Sequence, residues 1–399
     1  MAGHHVILLH NEEEVKRCLE RLGPDKGGYP YLIPKALFHC VLLKDIQAPA
    51  ANIIKQEMLA TGADAAVSRQ TILGQGTTDV LLMGTRKHYR RFIEKIKRQP
   101  FGLKKVASDL ETMLKAVNGY SSHSQLALAH GQSLPLGERT LVMGILNVTP
   151  DSFSDGGNYF DTQLAVERGL EMIEQGADII DVGGASSRPQ AEIASEEVEL
   201  QRVMPVVEGL VRRGVLVSVD TFRARVARET LQAGAHLIND IGRLQMDHNL
   251  LPVLVEFQAG VVLMHNRLQM NHGQPYTDLI SDIIDELNQS VEQALEAGLP
   301  RESIMVDPGI GFGKTAAENR YIVKHLAELR SLGLPVLLAA SRKNFIGLTL
   351  GLEVDQRLEG SLAVAVAGAL NGADMVRVHD VLATVRAVRM ADGIRMENG

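Results

Sequence analysis

From about Thr140 onward, short apolar runs alternate with longer stretches in which apolar residues recur at helical spacing. That is the pattern of βα units laid on a parallel sheet. Eight runs read as strands: Leu141 to Asn147, Asp178 to Val182, Val215 to Asp220, His236 to Asp240, Val261 to His265, Ser303 to Asp307, Pro335 to Ser341 and Asp374 to Val378. Eight strands in about 260 residues suit a closed (β/α)8 TIM barrel. An open doubly wound sheet also alternates strands with helices, but it feeds its ligand site from a few strands at one switch point. Here every strand ends in or beside a chemically capable side chain: Asn147, Asp181, Asp220, Asn239, His265, Asp307, Lys343, and Arg377 with His379. Any one of them reads as a cap or turn former. Eight together, several of them cations that cap nothing, point to a site at the barrel mouth.

The N-terminal third follows a different pattern. Ala36 to Leu43 and Asp79 to Met83 read as strands, Ala51 to Ala60 and Lys87 to Lys97 as helices. The expectation is a smaller α+β domain over residues 1–125, a Gly-, Ser- and Pro-containing linker over 118–138, and the barrel over 139–397. Seven basic residues and one acid lie between Arg86 and Arg98. Phe92, Ile93 and Ile96 at helical spacing make this an amphipathic helix with a solvated basic face.

Composition adds limits. The 399 residues are 45% hydrophobic and 22% charged, a globular profile. No apolar stretch approaches the ~18 residues of a membrane span, and the opening residues do not form a signal peptide, so a cytoplasmic protein is expected. Cys18 and Cys40 show no metal or redox spacing and read as reduced, structural residues. Residues 1–125 carry 18 Lys and Arg against 12 Asp and Glu, a net of +6; the remainder carries 23 against 36, a net of −13. Opposite signs favour docking of one part on the other over a nucleic-acid-binding arm.

The loops hold the chemistry. Asn147 to Gly157 (NVTPDSFSDGG) is a polar lid candidate carrying Phe153 and Asp155. Gly183 to Gln190 (GGASSRPQ) offers backbone amides, Ser186, Ser187 and Arg188. Asp220, Asn239 and Asp307 suit a flat heterocycle with adjacent N–H donors, because a carboxylate accepts two parallel hydrogen bonds. A metal or an acid/base pair is the other use of two Asp, and ranks below because no Glu/His cluster has ligand spacing. GIGFGKT imitates a phosphate-binding loop, but Pro308 stands where the first glycine is needed. Its glycines instead let the chain turn beneath a ligand, with Phe312 supplying a face. Arg342 and Lys343 before a helix, with Arg377 and His379 after the last strand, form an anion site within an otherwise acidic domain.

MGILNVTPDSFSDGG, GADIIDVGG, SVDT, GAHLINDI, VVLMH, DPGIGFGKT, SRKNFIG and RVHD, in that order between Thr140 and Ile394, resemble the dihydropteroate synthase signatures of the pterin-binding barrel family. The resemblance implies condensation of a pterin methyl diphosphate with p-aminobenzoate. It implies that Asp220, Asn239, Asp307 and Lys343 hold the pterin, that Met264 and Phe312 line its pocket, and that Asp181 belongs to the same binding set. Asn147 would meet the Mg2+ that accompanies the diphosphate, and Arg377 and His379 the diphosphate itself. Phe153, Asp155, Ser187, Arg188 and Pro189 would belong to loops that close over p-aminobenzoate, with Ser341 and Asn344 near its ring and carboxylate, and Ser186 and Arg342 are counted with the substrate-binding residues. Asp155 or Asp220 would stabilise cationic character on the pterin methylene. Two departures stand out: Ala185 and Ser187 replace the acid and threonine of the usual GGESTRPG loop, and the segment after His265 is unlike the usual form. The resemblance further implies a homodimer, with the Ala-rich helix from Glu359 to Leu370 suited to close packing. No nucleic acid or membrane partner is expected. The rivals are a pterin-binding methyltransferase passing a methyl group from a reduced folate to a corrinoid protein, which needs no diphosphate site, and a non-catalytic pterin-binding protein.

Overall fold

The computed structural model describes residues 3–118, 125–148, 158–184, 194–268 and 275–395. The chain divides into two compact units, Met1–Gly119 and Tyr120–Gly399.

In the first unit, α1 (Glu12–Leu22) and α2 (Tyr29–Ala36) precede β1 (Phe38–Gln47), α3 (Ala48–Thr61), β2 (Asp64–Val67), β3 (Thr77–Thr85), α4 (Arg86–Ile96) and α5 (Leu103–Asn118). The strands form an antiparallel sheet in the order β1-β3-β2. Ile54 and Met58 of α3, Phe92, Ile93 and Ile96 of α4, and Leu103 and Leu110 of α5 pack on Leu43, Val80 and Leu82. The apolar spacing of α4 is therefore its core face, and Arg90, Arg91 and Lys95 are exposed. Helix α1 buries only Val15 and depends on its ends: Asn11 accepts from the Glu14 amide, three acids fill the first turn, and Gly23 closes the helix in the left-handed region. Cys40 is exposed and Cys18 half-buried, and both are free, in line with the reduced state expected from their spacing.

The second unit opens with a hairpin, β4 (Gln125–Ala127) and β5 (Ser133–Pro135), where a linker is expected from the sequence. Its alternating leucines explain the difference. Leu126, Leu128, Leu134 and Leu136 are buried in one cluster with Met143, Ile179, Leu237, Val262, Met305, Leu337 and Met375, the lower interior of the barrel. Burying a leucine contributes roughly 1.5–3 kcal/mol, so the hairpin is a plug for the barrel floor.

The barrel strands are β6 (Leu141–Asn147), β7 (Ile179–Gly183), β8 (Val217–Asp220), β9 (Leu237–Asp240), β10 (Gly260–Met264), β11 (Ile304–Asp307), β12 (Leu337–Leu338) and β13 (Met375–Val378). Between and after them run α6 (Asn158–Glu174), α7 (Glu196–Val211), α8 (Ala224–Gln232), α9 (Leu250–Phe257), α10 (Leu279–Glu296), α11 (Ala316–Lys324), α12 (Asn344–Leu350), α13 (Leu358–Leu370) and α14 (Val381–Arg395). All eight strands are parallel in the order β11-β10-β9-β8-β7-β6-β13-β12, and a Val306 to Val336 bridge joins the ends, the closed barrel expected from the alternation. Strand β12 is shorter than its apolar run, and a few residues beyond it Arg342 takes a left-handed conformation (φ 57°) before α12. Among the described residues no helix is long and apolar enough to cross a membrane.

Candidate functional site

Strand periodicity builds the site. Inward side chains recur every second residue, so Ile179, Leu237, Met305 and Met375 of the apolar floor are followed two positions on by Asp181, Asn239, Asp307 and Arg377. Met143 leads by the same step to Asn147, Val262 to Met264, and Leu337 through Ala339 to Ser341. The lower barrel is thus sealed by aliphatic side chains and the upper barrel is polar.

Asp181 organises that layer. It is fully buried and accepts from Ser218 Oγ at 2.6 Å, Asn239 Nδ2 at 3.0 Å and Arg377 Nε at 2.5 Å. Arg377 also donates from Nη2 to Asp220 Oδ2 at 2.8 Å. Burial pushes the Asp220 carboxyl up to about 7, against the pull of Arg377, with the Asp181 charge adding to the rise. Gly183 leaves room here: a Cβ on it would stand 3.4 Å from Asn147 Oδ1 and 3.6 Å from Asp220 Cβ.

A second group lies across the mouth. Lys343 donates from Nζ to the Ile310 carbonyl and lies 4.4 Å from the centre of the Phe312 ring. Burial lowers its ammonium to about 8, opposed by the Asp307 charge. The Asp307 carboxyl is raised by burial, while Lys343 and a hydrogen bond from the Gly309 amide (2.6 Å) draw it down. Met264, Phe312 and Ile241 form a small apolar cluster joined by the half-buried Phe222. An apolar slot edged by Asp220, Asn239, Asp307 and Lys343 suits a flat ring with N–H donors and a carbonyl on its rim.

The structure separates other candidates. His379 Nδ1 lies 3.1 Å from Ser341 Oγ, fixing the imidazole, while Asn344 is exposed at the start of α12. Arg342, expected beside the anion, is committed to Asp380 through Nε at 2.9 Å and Nη2 at 2.6 Å. His265, counted among the strand-end residues, follows inward Met264 and so points outward, away from the mouth. There it is wholly buried and faces Lys314 and Glu286. Phe153, Asp155, Ser186, Ser187, Arg188 and Pro189, with Ala185, lie outside the described residues. Flanking the second of these loops, the Gly184 carbonyl accepts from Arg202 and the Ala194 carbonyl from Arg223, itself paired with buried Glu199 at 2.8 Å. Sequence reading missed Ser218 and these arginines. Ser218 has a signal, since it is two residues before Asp220 on the same strand face.

Among the described residues no group of three or more His, Cys, Asp or Glu could hold a metal ion. Asn147, half-buried at the end of β6, offers one hard amide oxygen. One such donor fits Mg2+ that takes most of its ligands from a bound diphosphate and water.

Comparison with known proteins agrees with this geometry. The family model of pterin binding enzymes matches residues 143–379. A dihydropteroate synthase of Clostridium beijerinckii is 47% identical over 259 residues, 64% of this chain and 95% of that protein. The solved structure of Xanthomonas albilineans dihydropteroate synthase with 4-aminobenzoic acid is 40% identical, covers 69% of this chain and 100% of that one, and superposes with a TM-score of 0.65. A probable bifunctional folylpolyglutamate synthase/dihydropteroate synthase of Halobacterium salinarum is 41% identical over 395 residues, 96% of this chain and 46% of that protein. That last alignment runs through the N-terminal unit as well as the barrel.

Proposed function

This chain belongs to the pterin-binding enzyme family, and on that basis we propose that it condenses 6-hydroxymethyl-7,8-dihydropterin diphosphate with p-aminobenzoate, giving 7,8-dihydropteroate and pyrophosphate. The observation that supports this best is the pairing, in one barrel mouth, of a carboxylate-edged apolar slot with Lys343 and Arg377. A methyltransferase of similar fold needs the slot but not the cations.

Asp220, Asn239 and Asp307 bind the rim of the pterin, and Met264 and Phe312 cover its faces. Both oxygens of Asp181 are taken by Ser218, Asn239 and Arg377, so it positions those partners. The aryl amine nitrogen forms a bond to the pterin methylene carbon as the bond from that carbon to the diphosphate oxygen breaks, and the amine then releases a proton. No side chain becomes a nucleophile; a pterin adduct trapped on the protein would overturn that. Negative charge grows on the departing diphosphate, where Arg377 and His379 act on it. Such groups typically contribute about 2.7–4 kcal/mol each in preorganised sites. Asn147 would hold Mg2+ in part, and the bound ion would supply Lewis-acid stabilisation of the same charge. By the family resemblance, Phe153, Asp155 and residues 186–189 would contribute to p-aminobenzoate binding together with Ser341 and Asn344, and Asp155 or Asp220 would offset positive charge on the methylene.

The test is pyrophosphate release by the purified full chain. Release that requires both p-aminobenzoate and Mg2+, stops with a chelator and yields dihydropteroate is the expected result. Pterin binding without turnover would favour a non-catalytic pterin-binding protein.

Two titrating groups set the pH dependence. Asp220 must lose its proton to accept from the pterin, and it does so near pH 7; Lys343 must keep its proton, and loses it near pH 8. A bell-shaped kcat/KM for the pterin diphosphate follows, rising through the first value and falling through the second. A profile flat from pH 5 to 9 would remove both roles.

The cytoplasm is the proposed location, and a homodimer the proposed assembly. Supporting the dimer, small residues dominate α13, and exposed Leu348, Leu350 and Leu370 lie on α12 and α13, which pack together. Light scattering is expected to give twice the chain mass, and a monomer at micromolar concentration would exclude the dimer.

A further inference from the structure

Among the described residues, the reaction leaves unused a buried titratable cluster beside the site. Lys314, just beyond the Phe312 loop, places Nζ 2.9 Å from the Gly309 carbonyl, 3.1 Å from the Phe312 carbonyl and 3.0 Å from His265 Nδ1. Burial lowers the Lys314 ammonium to about 7, opposed by the Asp307 charge; in its protonated form it has three donors and no acceptor, so His265 Nδ1 accepts and the imidazole proton belongs on Nε2, a tautomer assigned from its partners. Nε2 lies 3.3 Å from Glu286 Oε2, a close contact outside hydrogen-bond geometry. Burial, which lowers His265 to about 4, keeps that ring neutral. Glu286 is held in turn by Arg267 Nε at 2.7 Å and Arg243 Nη1 at 3.1 Å.

The loop that Lys314 fastens has no slack. Gly309 (φ 67°) lies so close to strand β10 that a Cβ on it would meet the His265 carbonyl oxygen at 1.8 Å. Backbone fit and a polar pin therefore act at the same place. The loop delivers two groups to the site: Phe312, packed with Met264 and Ile241 beneath Lys343, and the Ile310 carbonyl that accepts from Lys343. Lys314 thus touches the loop on one side and the outward face of β10 on the other, and reaches no reacting atom.

We propose that Lys314 is a positioning residue for the pterin site: through His265 and Glu286 it pins loop 308–313 to the end of β10, so that Phe312 and the Ile310 carbonyl set the ring face and the place of Lys343. The inference rests on the reading of the slot as a pterin site. A lysine that only stabilised the fold would affect both substrates alike, whereas a pin for this loop acts on the pterin side.

The test titrates the full-length protein with the pterin diphosphate and Mg2+ by calorimetry and measures steady-state kinetics for both substrates. For Lys314→Met the pterin Kd is expected to rise by about tenfold or more, since small misplacements of positioned groups cost up to ~100-fold, while the KM for p-aminobenzoate moves less than about twofold. His265→Leu should reproduce this. His265→Gln, whose amide can accept from Lys314 and donate to Glu286, should bind pterin within about threefold of the parent. The double variant K314M/H265L should be no worse than either single one, because both cut the same tie. A folded Lys314→Met with the parent's pterin Kd, or a pterin Kd and p-aminobenzoate KM that rise together, overturns the inference. Should Lys314→Met fail to fold, equal pterin affinity of His265→Leu and His265→Gln overturns it instead. Failure of the parent protein to bind the pterin diphosphate would overturn the functional reading itself, a result distinct from all of these.

Discussion

Replacing Lys343 with alanine is expected to lower kcat/KM for the pterin diphosphate by about 10²- to 10³-fold, the loss typical of one preorganised polar group in a water-excluded site. Its ammonium lies over the Phe312 ring, donates to the Ile310 carbonyl and opposes the buried Asp307 charge. Truncation removes the cation, exposes the aromatic face and leaves Asp307 with one charge fewer to compensate it. Lys343→Met separates these effects, because it keeps the aliphatic stem over Phe312 and deletes only the charge. Pyrophosphate release in the presence of p-aminobenzoate measures both variants, and the same loss in each assigns the effect to the ammonium. Lys343→Arg should not restore activity: a planar fork does not reproduce a compact donor placed over a ring. Activity within threefold of the parent in Lys343→Met would remove Lys343 from the site.

The barrel was legible because its signal is periodic and repeated. Eight apolar runs bounded by helical stretches leave few architectures, and the polar residues at their ends mark one face of one barrel. Register was legible too, although only through parity. Counting inward positions by two from the apolar floor selects Asn147, Asp181, Ser218, Asn239, Met264, Asp307 and Arg377 and rejects His265, which sequence reading grouped with them because it ended a strand. Commitments between side chains were not legible. Nothing in the order of residues says that Arg342 is taken by Asp380 or that both oxygens of Asp181 are occupied, since those partners lie 38 residues away for Arg342 and up to 196 for Asp181. The hairpin at 125–135 was hidden for another reason. Its strands are three residues each, too short for periodicity to emerge, and the polar Gly131 to Ser133 turn resembles a linker until the four leucines find the barrel floor. Helix α1 lacked a long apolar stripe because it buries a single residue, so its evidence lay only in its caps.

The largest effect on stability is expected from Asp181→Ala. The carboxylate has no exposure and receives three donors, so its removal leaves Ser218 and Asn239 short of an acceptor and strips one of two anions from Arg377, whose side chain is 12% exposed. Breaking a buried charge pair by deleting one partner typically costs 3–5 kcal/mol. Asp220 remains to pair with Arg377 at 2.8 Å, which places the expected loss near the lower end, about 3 kcal/mol. Urea unfolding at pH 7 reads it as a lower midpoint at unchanged slope. Asp181→Asn tests the same point with the volume kept: its amide still accepts from Ser218 but turns a second donor toward Arg377 or Asn239, so it should be destabilised too, by less. Activity distinguishes the organising role from mere stability. Below the unfolding transition both variants are folded, yet Asn239 and Arg377 are no longer fixed against each other, so kcat/KM for the pterin diphosphate should fall at least tenfold, an effect of the size expected when positioned groups move by an ångström or less. A variant that unfolds early but turns over normally while folded would show that Asp181 holds up the barrel and does not set the site.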